Sequence, residues 1–217
     1  MRSGSPRQLS HGRRAKWDTS GVLLDPGVLS GPIDLPAVFG NGRPIELEVG
    51  TGKGTFLLAR AAARSDLNFL GIELARAYCC YAADRIRRRG LANVRMAQAD
   101  AAHFFRLCLT DAAVWRVHIY FPDPWPKRKH HRRRLIKPPF LADVRRVLQL
   151  GGQLIVVTDH REYFGQIRRV LCSVSGLARI SLPRIACEQG ELAGTNFERK
   201  YLAEGRPFYA AARMRYA

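Results

Sequence analysis

The sequence predicts one α/β domain built on a mostly parallel β-sheet. From Ile45 onward, short apolar runs alternate with longer segments in which apolar residues recur at helical spacing. The chain has 217 residues, 47% of them hydrophobic and 25% charged, which suits a single core and excludes a largely disordered chain. It contains neither an apolar run long enough to span a membrane nor a signal-peptide pattern, so a soluble, cytoplasmic protein without membrane contact is expected.

The first 44 residues differ from the rest in composition. Residues 1–17 hold five Arg or Lys and no acid among Ser and Gly, which predicts a basic, flexible N-terminal arm that either touches RNA phosphates or stays disordered. Residues 18–44 hold nine Gly or Pro, too many for long elements, so an irregular lead-in is expected. The predicted folded domain runs over residues 45–217.

Seven strands and four helices are predicted within this domain. Five apolar runs are predicted strands: Ile45–Val49, Asn68–Glu73, Asn93–Ala97, Trp115–Phe121 and Gln153–Thr158. Two further strands, Ala178–Leu182 and Phe208–Met214, flank a polar loop over Arg184–Gly205. The predicted helices are Thr55–Arg64, Ala75–Arg89 with Gly90 as C-cap, Pro139–Leu148, and a helix from an Asp159 N-cap to about Val170.

The first strand runs into a glycine loop, Gly50-Thr51-Gly52-Lys53-Gly54, which lets a ligand approach the backbone. A P-loop has a different spacing, and a dinucleotide fingerprint would have its third glycine or alanine where this chain has Thr55. Glu48, two residues before the loop, would repel a pyrophosphate but attract a sulfonium or ammonium group. The loop therefore favours S-adenosylmethionine, which carries both cations and no phosphate.

Acidic residues follow the ends of three successive strands. Glu48 and Glu73 lie at the ends of the first two strands, and Asp100 follows the third. Any one of them could simply end a strand or cap a helix. Because the carboxyl ends of parallel strands face one crevice, we expect a shared cofactor site in which Glu73 accepts hydrogen bonds from ribose hydroxyls and Asp100 lies near the adenine.

Three prolines bracket an aspartate after the fourth strand, in Phe121-Pro122-Asp123-Pro124-Trp125-Pro126. Residues that precede proline avoid the helical region, so residues 121, 123 and 125 are predicted to be extended and Asp123 to project from a stiff loop beside the crevice. Its carboxylate is suited to accept hydrogen bonds from a purine N1–H and exocyclic amino group. Trp125 either stacks on a base or packs in the core.

Positive charge dominates the composition. Thirty-six Lys and Arg against 18 Asp and Glu give a formal net charge of +18, which indicates a polyanionic partner such as nucleic acid. Six of these cations fall in the basic run, Lys127–Arg134, directly after the proline-rich loop. The basic run is either a solvated surface loop or a site for several RNA phosphates beside the crevice.

The cysteines do not form a recognisable pattern. There are five, without C-x-x-C spacing: Cys79, Cys80, Cys108, Cys172 and Cys187. Most lie in apolar stretches, where a reduced thiol packs as a small hydrophobic group. Neither disulfides nor a metal site is predicted.

Taken together, these features resemble the bacterial tRNA (guanine-N7-)-methyltransferase family. The matching segments span about residues 45–210: Glu48–Gly54, Gly71–Glu73, Asp100-Ala101, Phe121–Arg128, Gly151-Gly152, Thr158-Asp159 and Thr195–Glu198. The Pro-Asp-Pro-Trp segment followed by Lys, Arg and His is the specific part. The resemblance implies a Rossmann-like class I methyltransferase fold, with a mostly parallel sheet of seven strands and helices on both faces.

The resemblance also implies an activity and residue roles. It implies methyl transfer from S-adenosylmethionine to N7 of a guanine in tRNA, at variable-loop guanosine 46. The implied cofactor contacts are Glu48, Gly50, Gly52, Glu73, Asp100 and Asp123, with Asp123 as the catalytic candidate. The implied contacts to the substrate guanosine are Lys127, Asp159, Thr195, Asn196, Phe197 and Glu198. The residues alone leave open a small-molecule methyltransferase, an RNA-binding module with a lapsed cofactor pocket, and either a monomer or a homodimer.

Overall fold

A computed structural model describes residues 17–185 and 194–217. The predicted N-terminal arm, apart from Trp17, and Cys187 lie outside the described residues. The four described cysteines are free thiols. Within the described part of the chain, no helix combines the length and the apolar character needed to cross a membrane.

A seven-stranded sheet forms the centre of the protein. Its strands are β1 (Ile45–Val49), β2 (Asn68–Glu73), β3 (Val94–Gln98), β4 (Val114–Tyr120), β5 (Leu148–Thr158), β6 (Leu177–Ile180) and β7 (Tyr209–Arg215). The order across the sheet is β3-β2-β1-β4-β5-β7-β6, and β7 is the one strand of this sheet that runs opposite to the other six. The predicted mostly parallel α/β sheet is therefore confirmed.

Helices cover both faces of the sheet. They are α1 (Leu35–Phe39), α2 (Thr55–Ala63), α3 (Arg76–Arg88), α4 (Ala101–Leu107), α5 (Pro138–Val147), α6 (Arg161–Ser173) and α7 (Asn196–Ala203), with 3-10 turns at Pro26–Ser30 and Arg128–Arg133. One hydrophobic cluster joins the sheet to α1, α4, α5 and α6, and a second joins it to α2 and α3. Because side chains alternate along a strand, Leu70 and Ile72 of β2 enter the first cluster while Phe69 enters the second.

Part of the lead-in packs on this central body. Met96 of β3 donates its backbone N–H to the Val22 carbonyl at 2.8 Å and accepts from the Leu24 N–H at 2.8 Å. This short pairing covers the β3 edge of the sheet, which would otherwise expose unpaired backbone groups. Ile33 and Phe39 are buried in the larger core cluster, so residues 18–44 and the sheet share one core.

Two predicted boundaries were wrong for local reasons. The N-cap of α6 is His160, whose Nδ1 accepts from the Tyr163 N–H at 3.2 Å, and not Asp159, which pairs with Arg206. Strand β5 begins at Leu148, before the glycine pair, because Gly151 takes a φ of 76° and the strand continues past it with a shift in register.

The predicted polar loop over Arg184–Gly205 was also wrong, because it contains α7. Thr195 is the N-cap, and its hydroxyl accepts from the Glu198 N–H at 3.0 Å. The Glu198 carboxylate in turn accepts from the Gly194 N–H at 2.8 Å. This arrangement resembles a capping box, with Glu198 accepting from the residue before the N-cap, and it starts a helix even in a polar stretch.

Candidate active site

The strand tips that carry the predicted acids are neighbours in the sheet. Glu48 of β1 lies in register with Gly71 of β2 on one side and His118 of β4 on the other. Glu73 ends β2, and the loop that carries Asp123 follows β4. Because these strands are parallel, their carboxyl ends lie together at one edge of the sheet, as the sequence predicted.

The glycine loop between β1 and α2 adopts a backbone that favours glycine. Gly50, Gly52 and Gly54 have φ values of 75°, 52° and 70°, in the left-handed region. A Cβ atom at Gly50 or Gly52 would meet nothing within 4 Å, so the loop surface is open to a ligand. At Gly54 a Cβ atom would lie 2.9 Å from the Ala82 Cβ, so this glycine also lets α2 approach α3.

Glu48 is a buried carboxylate without a full set of partners. Its residue is 3% exposed, and its Oε2 atom has no hydrogen-bond partner among the described residues. Burial, and to a lesser extent the nearby Glu73 carboxylate, raise the pKa of Glu48 well above its usual range. A buried polar atom without a partner in the protein is suited to bind a ligand, and a positively charged group at the glycine loop would satisfy this one.

Glu73 shapes the glycine loop as well as facing the crevice. One of its oxygens accepts from the Gly52 N–H at 2.8 Å, and the other accepts from the Ala75 N–H at 2.9 Å. Each carboxylate oxygen keeps further accepting capacity for a ligand. Asp100 lies at the tip of β3 and is the N-cap of α4, accepting from the His103 N–H at 3.0 Å.

The loop that carries Asp123 is bent and not extended, which corrects the expectation for residues 121 and 125. Phe121 has a φ of 49° and Trp125 a φ of 43°, values that non-glycine residues rarely adopt. Asp123 itself is exposed. Trp125 is half-buried, with the Arg133 guanidinium 4.9 Å from its ring centre and the His130 ring 5.9 Å away. The loop is therefore held in a conformation that its sequence alone disfavours.

The basic run is not uniformly exposed. Lys127 is exposed at the start of the 3-10 turn and accepts at its carbonyl from the His130 N–H at 2.8 Å. Arg132 and Arg133 are also exposed, but Arg134 is only 1% exposed. The sequence prediction treated all six cations of the basic run alike. Arg134 directly follows other basic residues, so its sequence context does not distinguish it as the one that is buried.

The remaining predicted substrate residues lie directly after β5 and at the start of α7. Asp159, after β5, accepts from Arg206 at 2.9 Å, an arginine that sequence reasoning did not single out. Thr195 and Glu198 are buried in the capping box, and Asn196 is the first residue of α7. Phe197 is 52% exposed, and its ring centre lies 6.2 Å from that of Phe121. The structure thus brings α7 beside the Asp123 loop.

A buried polar network lies along β1 and β4 below Glu48, and sequence reasoning missed it. Glu46 accepts from Arg60 and Arg116, and from His118 Nε2 at 3.0 Å. Although burial raises the pKa of Glu46, the hydrogen bonds from His118 and Arg60 outweigh that effect and lower it below its usual range. Burial lowers the pKa of His118 although its hydrogen bond to Glu46 opposes this, and its Nδ1 lies 2.7 Å from the Tyr120 hydroxyl. The sequence did contain a sign of this network, because two acids, Glu46 and Glu48, lie in a strand that is otherwise apolar and is buried along its whole length.

Solved structures confirm the predicted Rossmann-like methyltransferase fold. The 16S rRNA methyltransferase KamB superposes with a TM-score of 0.62 at 14% identity, over 85% of this chain and 93% of that one. A SAM-dependent methyltransferase from Aquifex aeolicus gives 0.55 at 16% identity, over 88% and 93%. At these identities the likeness concerns the fold alone.

Sequence relatives identify the family. A family model described as a putative methyltransferase matches residues 42–211. The tRNA (guanine-N(7)-)-methyltransferase of Rhodopirellula baltica is 35% identical over 218 residues, 94% of this chain and 80% of that protein. The protein of the same name from Alcanivorax borkumensis is 38% identical over 167 residues, 77% and 68%. Relatives this similar over most of both chains share a fold and a family, and the chain belongs to the tRNA (guanine-N(7)-)-methyltransferase family.

Proposed function

We propose that this protein transfers a methyl group from S-adenosylmethionine to N7 of a guanine in tRNA, at guanosine 46 of the variable loop. Family membership supports the reaction and the substrate class. The observation that carries the proposal is that Glu48, Glu73 and Asp123 lie at adjacent strand tips around an open glycine loop in a chain of this family. A tRNA substrate implies that the enzyme works in the cytoplasm.

The pocket fits S-adenosylmethionine, which supplies a methyl group activated on a sulfonium. Glu48 is suited to hold a cationic group of this ligand, because its buried Oε2 lacks a partner. Gly50 and Gly52 leave room for the ligand beside the backbone, and Glu73 keeps accepting capacity for ribose hydroxyls. Asp100 and Asp123 complete the proposed cofactor contacts.

Positioning of the base is the main task proposed for the protein. Guanine N7 has a lone pair and no proton to lose, so its methylation needs no general base. Asp123 would accept hydrogen bonds from the N1–H and the exocyclic amino group and so orient the base. Orientation alone contributes up to about 7–11 kcal/mol of barrier lowering. The negative charge of Asp123 also offsets the positive charge that develops on the purine ring.

The residues around Asp123 are suited to the rest of the substrate. Lys127 and the exposed members of the basic run would bind phosphates, which lie on every nucleotide. Phe197 offers an exposed ring on which an unstacked base can stack. Asp159 would contact the guanosine in an orientation fixed by Arg206, and Thr195 and Glu198 would hold the start of α7. Removing the guanine from its stack costs a few kcal/mol, which the phosphate contacts can offset.

The test is incubation with methyl-labelled S-adenosylmethionine and unmodified tRNA transcript, followed by digestion and nucleoside analysis. Labelled 7-methylguanosine is expected, and it should disappear when guanosine 46 is replaced by adenosine. Label in any other nucleoside, or transfer to small acceptors but not to tRNA, would contradict the proposal. Label that persists in the substituted tRNA would contradict only the position.

A further inference from the structure

Arg134 uses all of its hydrogen-bonding capacity inside the protein. Its Nε donates to the Pro124 carbonyl at 2.8 Å. One terminal nitrogen donates to Glu162 at 3.1 Å and to Gln166 at 2.5 Å, and the other donates to Glu162 at 2.5 Å and lies 3.0 Å from His131 Nε2. A guanidinium has five N–H groups, so each one has an acceptor. This satisfaction explains how a charged side chain without exposed surface is tolerated.

The contact to Pro124 is the one that bears on the site. The Pro124 carbonyl belongs to the peptide unit that joins Pro124 to Trp125, and Trp125 has the strained φ of 43°. A hydrogen bond to this carbonyl fixes the orientation of the Pro124–Trp125 peptide, the second peptide after Asp123. Because proline has no N–H, the carbonyl is the only backbone group of Pro124 that can be held in this way.

Apart from His131, the other contacts of Arg134 lie on helix α6. Glu162, Tyr163 and Gln166 are on α6, and the guanidinium carbon is 4.7 Å from the centre of the Tyr163 ring. Tyr163 is fully buried, and its hydroxyl accepts from the Ile136 N–H at 3.3 Å. Arg134 therefore connects the loop that carries Asp123 to a helix packed in the core.

We propose that Arg134 is a positioning residue for methyl transfer, which holds the Asp123 loop in its strained conformation by clamping the Pro124 carbonyl to α6. The proposal rests on the proposed function for its catalytic readout. It assigns Arg134 an internal role, distinct from the phosphate binding expected of its exposed neighbours in the basic run. A lysine keeps the charge but lacks the planar fork, so it cannot hold Pro124 and Glu162 together.

The experiment compares Arg134→Lys with Arg146→Lys. Arg146 likewise donates to backbone carbonyls, those of Phe105 and Leu109, but at the opposite end of the sheet from the strand tips. For each variant we would measure kcat, the KM for tRNA, and the Kd for S-adenosylmethionine by calorimetry. Acrylamide quenching of Trp125 fluorescence, with Trp17 and Trp115 replaced by Phe in every protein compared, reports the loop directly and without turnover.

Arg134→Lys is expected to lower kcat by about ten-fold or more, since small misplacements of reacting groups cost rates of this order. The KM for tRNA and the cofactor Kd should change by less than about three-fold, and Trp125 should become more accessible to acrylamide. Arg146→Lys should leave all four values unchanged. Wild-type kcat and quenching in Arg134→Lys would overturn the proposal.

A second variant covers the case in which Arg134→Lys does not fold. Glu162→Ala removes one anchor at an exposed position of α6, and it should raise Trp125 quenching and lower kcat by a smaller factor. Unchanged quenching and kcat in this variant would then overturn the proposal. If the wild-type enzyme makes no 7-methylguanosine, the proposed function fails, whereas the quenching comparison still decides whether Arg134 holds the loop.

Discussion

Asp123 lies between two of the three non-glycine residues with positive φ in the described structure. Such residues store on the order of 1–3 kcal/mol of strain each and persist where surrounding contacts enforce them. The conformation of Phe121 is held by three aromatic rings whose centres lie 5.5–6.2 Å from its own, those of Phe197, Tyr201 and Phe208. Trp125 packs against Arg133 of the basic run. Strained backbone on both sides of Asp123 is consistent with the role in orienting the guanine that we propose for its carboxylate.

Replacing Asp123 with alanine should lower turnover by about 100- to 1000-fold, the loss typical of removing one group that stabilises developing charge. The affinity for tRNA should stay within a few-fold, because phosphate contacts elsewhere supply most of it. Single-turnover rates and filter binding would measure the two effects. Asp111→Ala, at an exposed carboxylate paired with Arg146, is the matched control. Wild-type turnover in the Asp123 variant would remove Asp123 from the mechanism.

Glu48 predicts a pH dependence for cofactor binding. Because its pKa is raised by burial and by Glu73, Glu48 is protonated in the free protein below that pKa and must release its proton to pair with a cation. The affinity for S-adenosylmethionine should therefore rise as the pH rises from the ordinary range of glutamate toward the raised pKa of Glu48, by up to about ten-fold per pH unit, while the ligand amino group stays protonated. The sign for stability is opposite: the folded free protein binds more protons than the unfolded chain, so stability falls as pH rises from the unfolded pKa toward the folded one.

Calorimetry across this pH range, in two buffers of different ionisation enthalpy, would measure both the affinity and the proton released. Glu48→Gln is the control, because an amide mimics the protonated acid and cannot titrate. It should bind the ligand weakly at every pH and release no proton. A pH-independent affinity in the wild-type protein would contradict this assignment of charge.

The sequence predicted the acids of the site better than their surroundings. Glu48 and Glu73 could be placed at one crevice because their strands are short apolar runs that end at the acids, and the carboxyl ends of neighbouring parallel strands lie together. The inward turn of Arg134 could not be predicted, since it depends on acceptors on α6 that lie far from it in the sequence. The bent conformations of Phe121 and Trp125 contradict local proline rules, because tertiary contacts override them.

At the scale of elements, the strands in the buried middle of the sheet were predicted most accurately, because each is a short apolar run in the sequence. The predicted bounds of β1 and β2 match the structure, because both strands are buried on two faces and are bounded by loop residues. Helix α7 was missed because its polar composition lacks a broad apolar stripe. Its start signal, Thr195 followed by Glu198, was present in the sequence and was interpreted only as a substrate motif.

Helix α7 offers a matched pair of exposed side chains. Phe197 is 52% exposed beside Phe121, and Leu202, five residues further along α7, is 48% exposed. If Phe197 stacks on a base, Phe197→Ala should raise the KM for tRNA by about five- to 150-fold, the equivalent of 1–3 kcal/mol per stacked base. Leu202→Ala removes similar exposed apolar surface and should leave the KM unchanged. Equal KM values for the two variants would exclude stacking at Phe197.

At the scale of the whole molecule, the excess positive charge is only partly available to a partner. Arg60 and Arg134 are buried in internal ion pairs, and Arg87 and Arg88 pair with Asp18 and Asp84. The exposed part of the basic run is different, because it adjoins the strand tips and lies on the 3-10 turn after the Asp123 loop. Net charge alone indicated a polyanion, whereas the structure indicates where on the surface that polyanion would meet the crevice.

Neutralising Lys127, Arg128, Arg132 and Arg133 together to Gln tests this placement. Each phosphate contact releases counterions, so the slope of log K against log salt should flatten by up to about three. The control replaces four other exposed arginines with Gln and so removes the same formal charge. These arginines lie on α4, α6 and β6: Arg106, Arg168, Arg169 and Arg179. The slope of this control should change much less, because long-range charge is screened beyond about 10 Å at 0.1 M salt. Binding titrations between 50 and 300 mM salt would measure both slopes. If the two variants flatten the slope equally, tRNA senses the total charge of the protein, and the basic run has no special role in delivering RNA to Asp123.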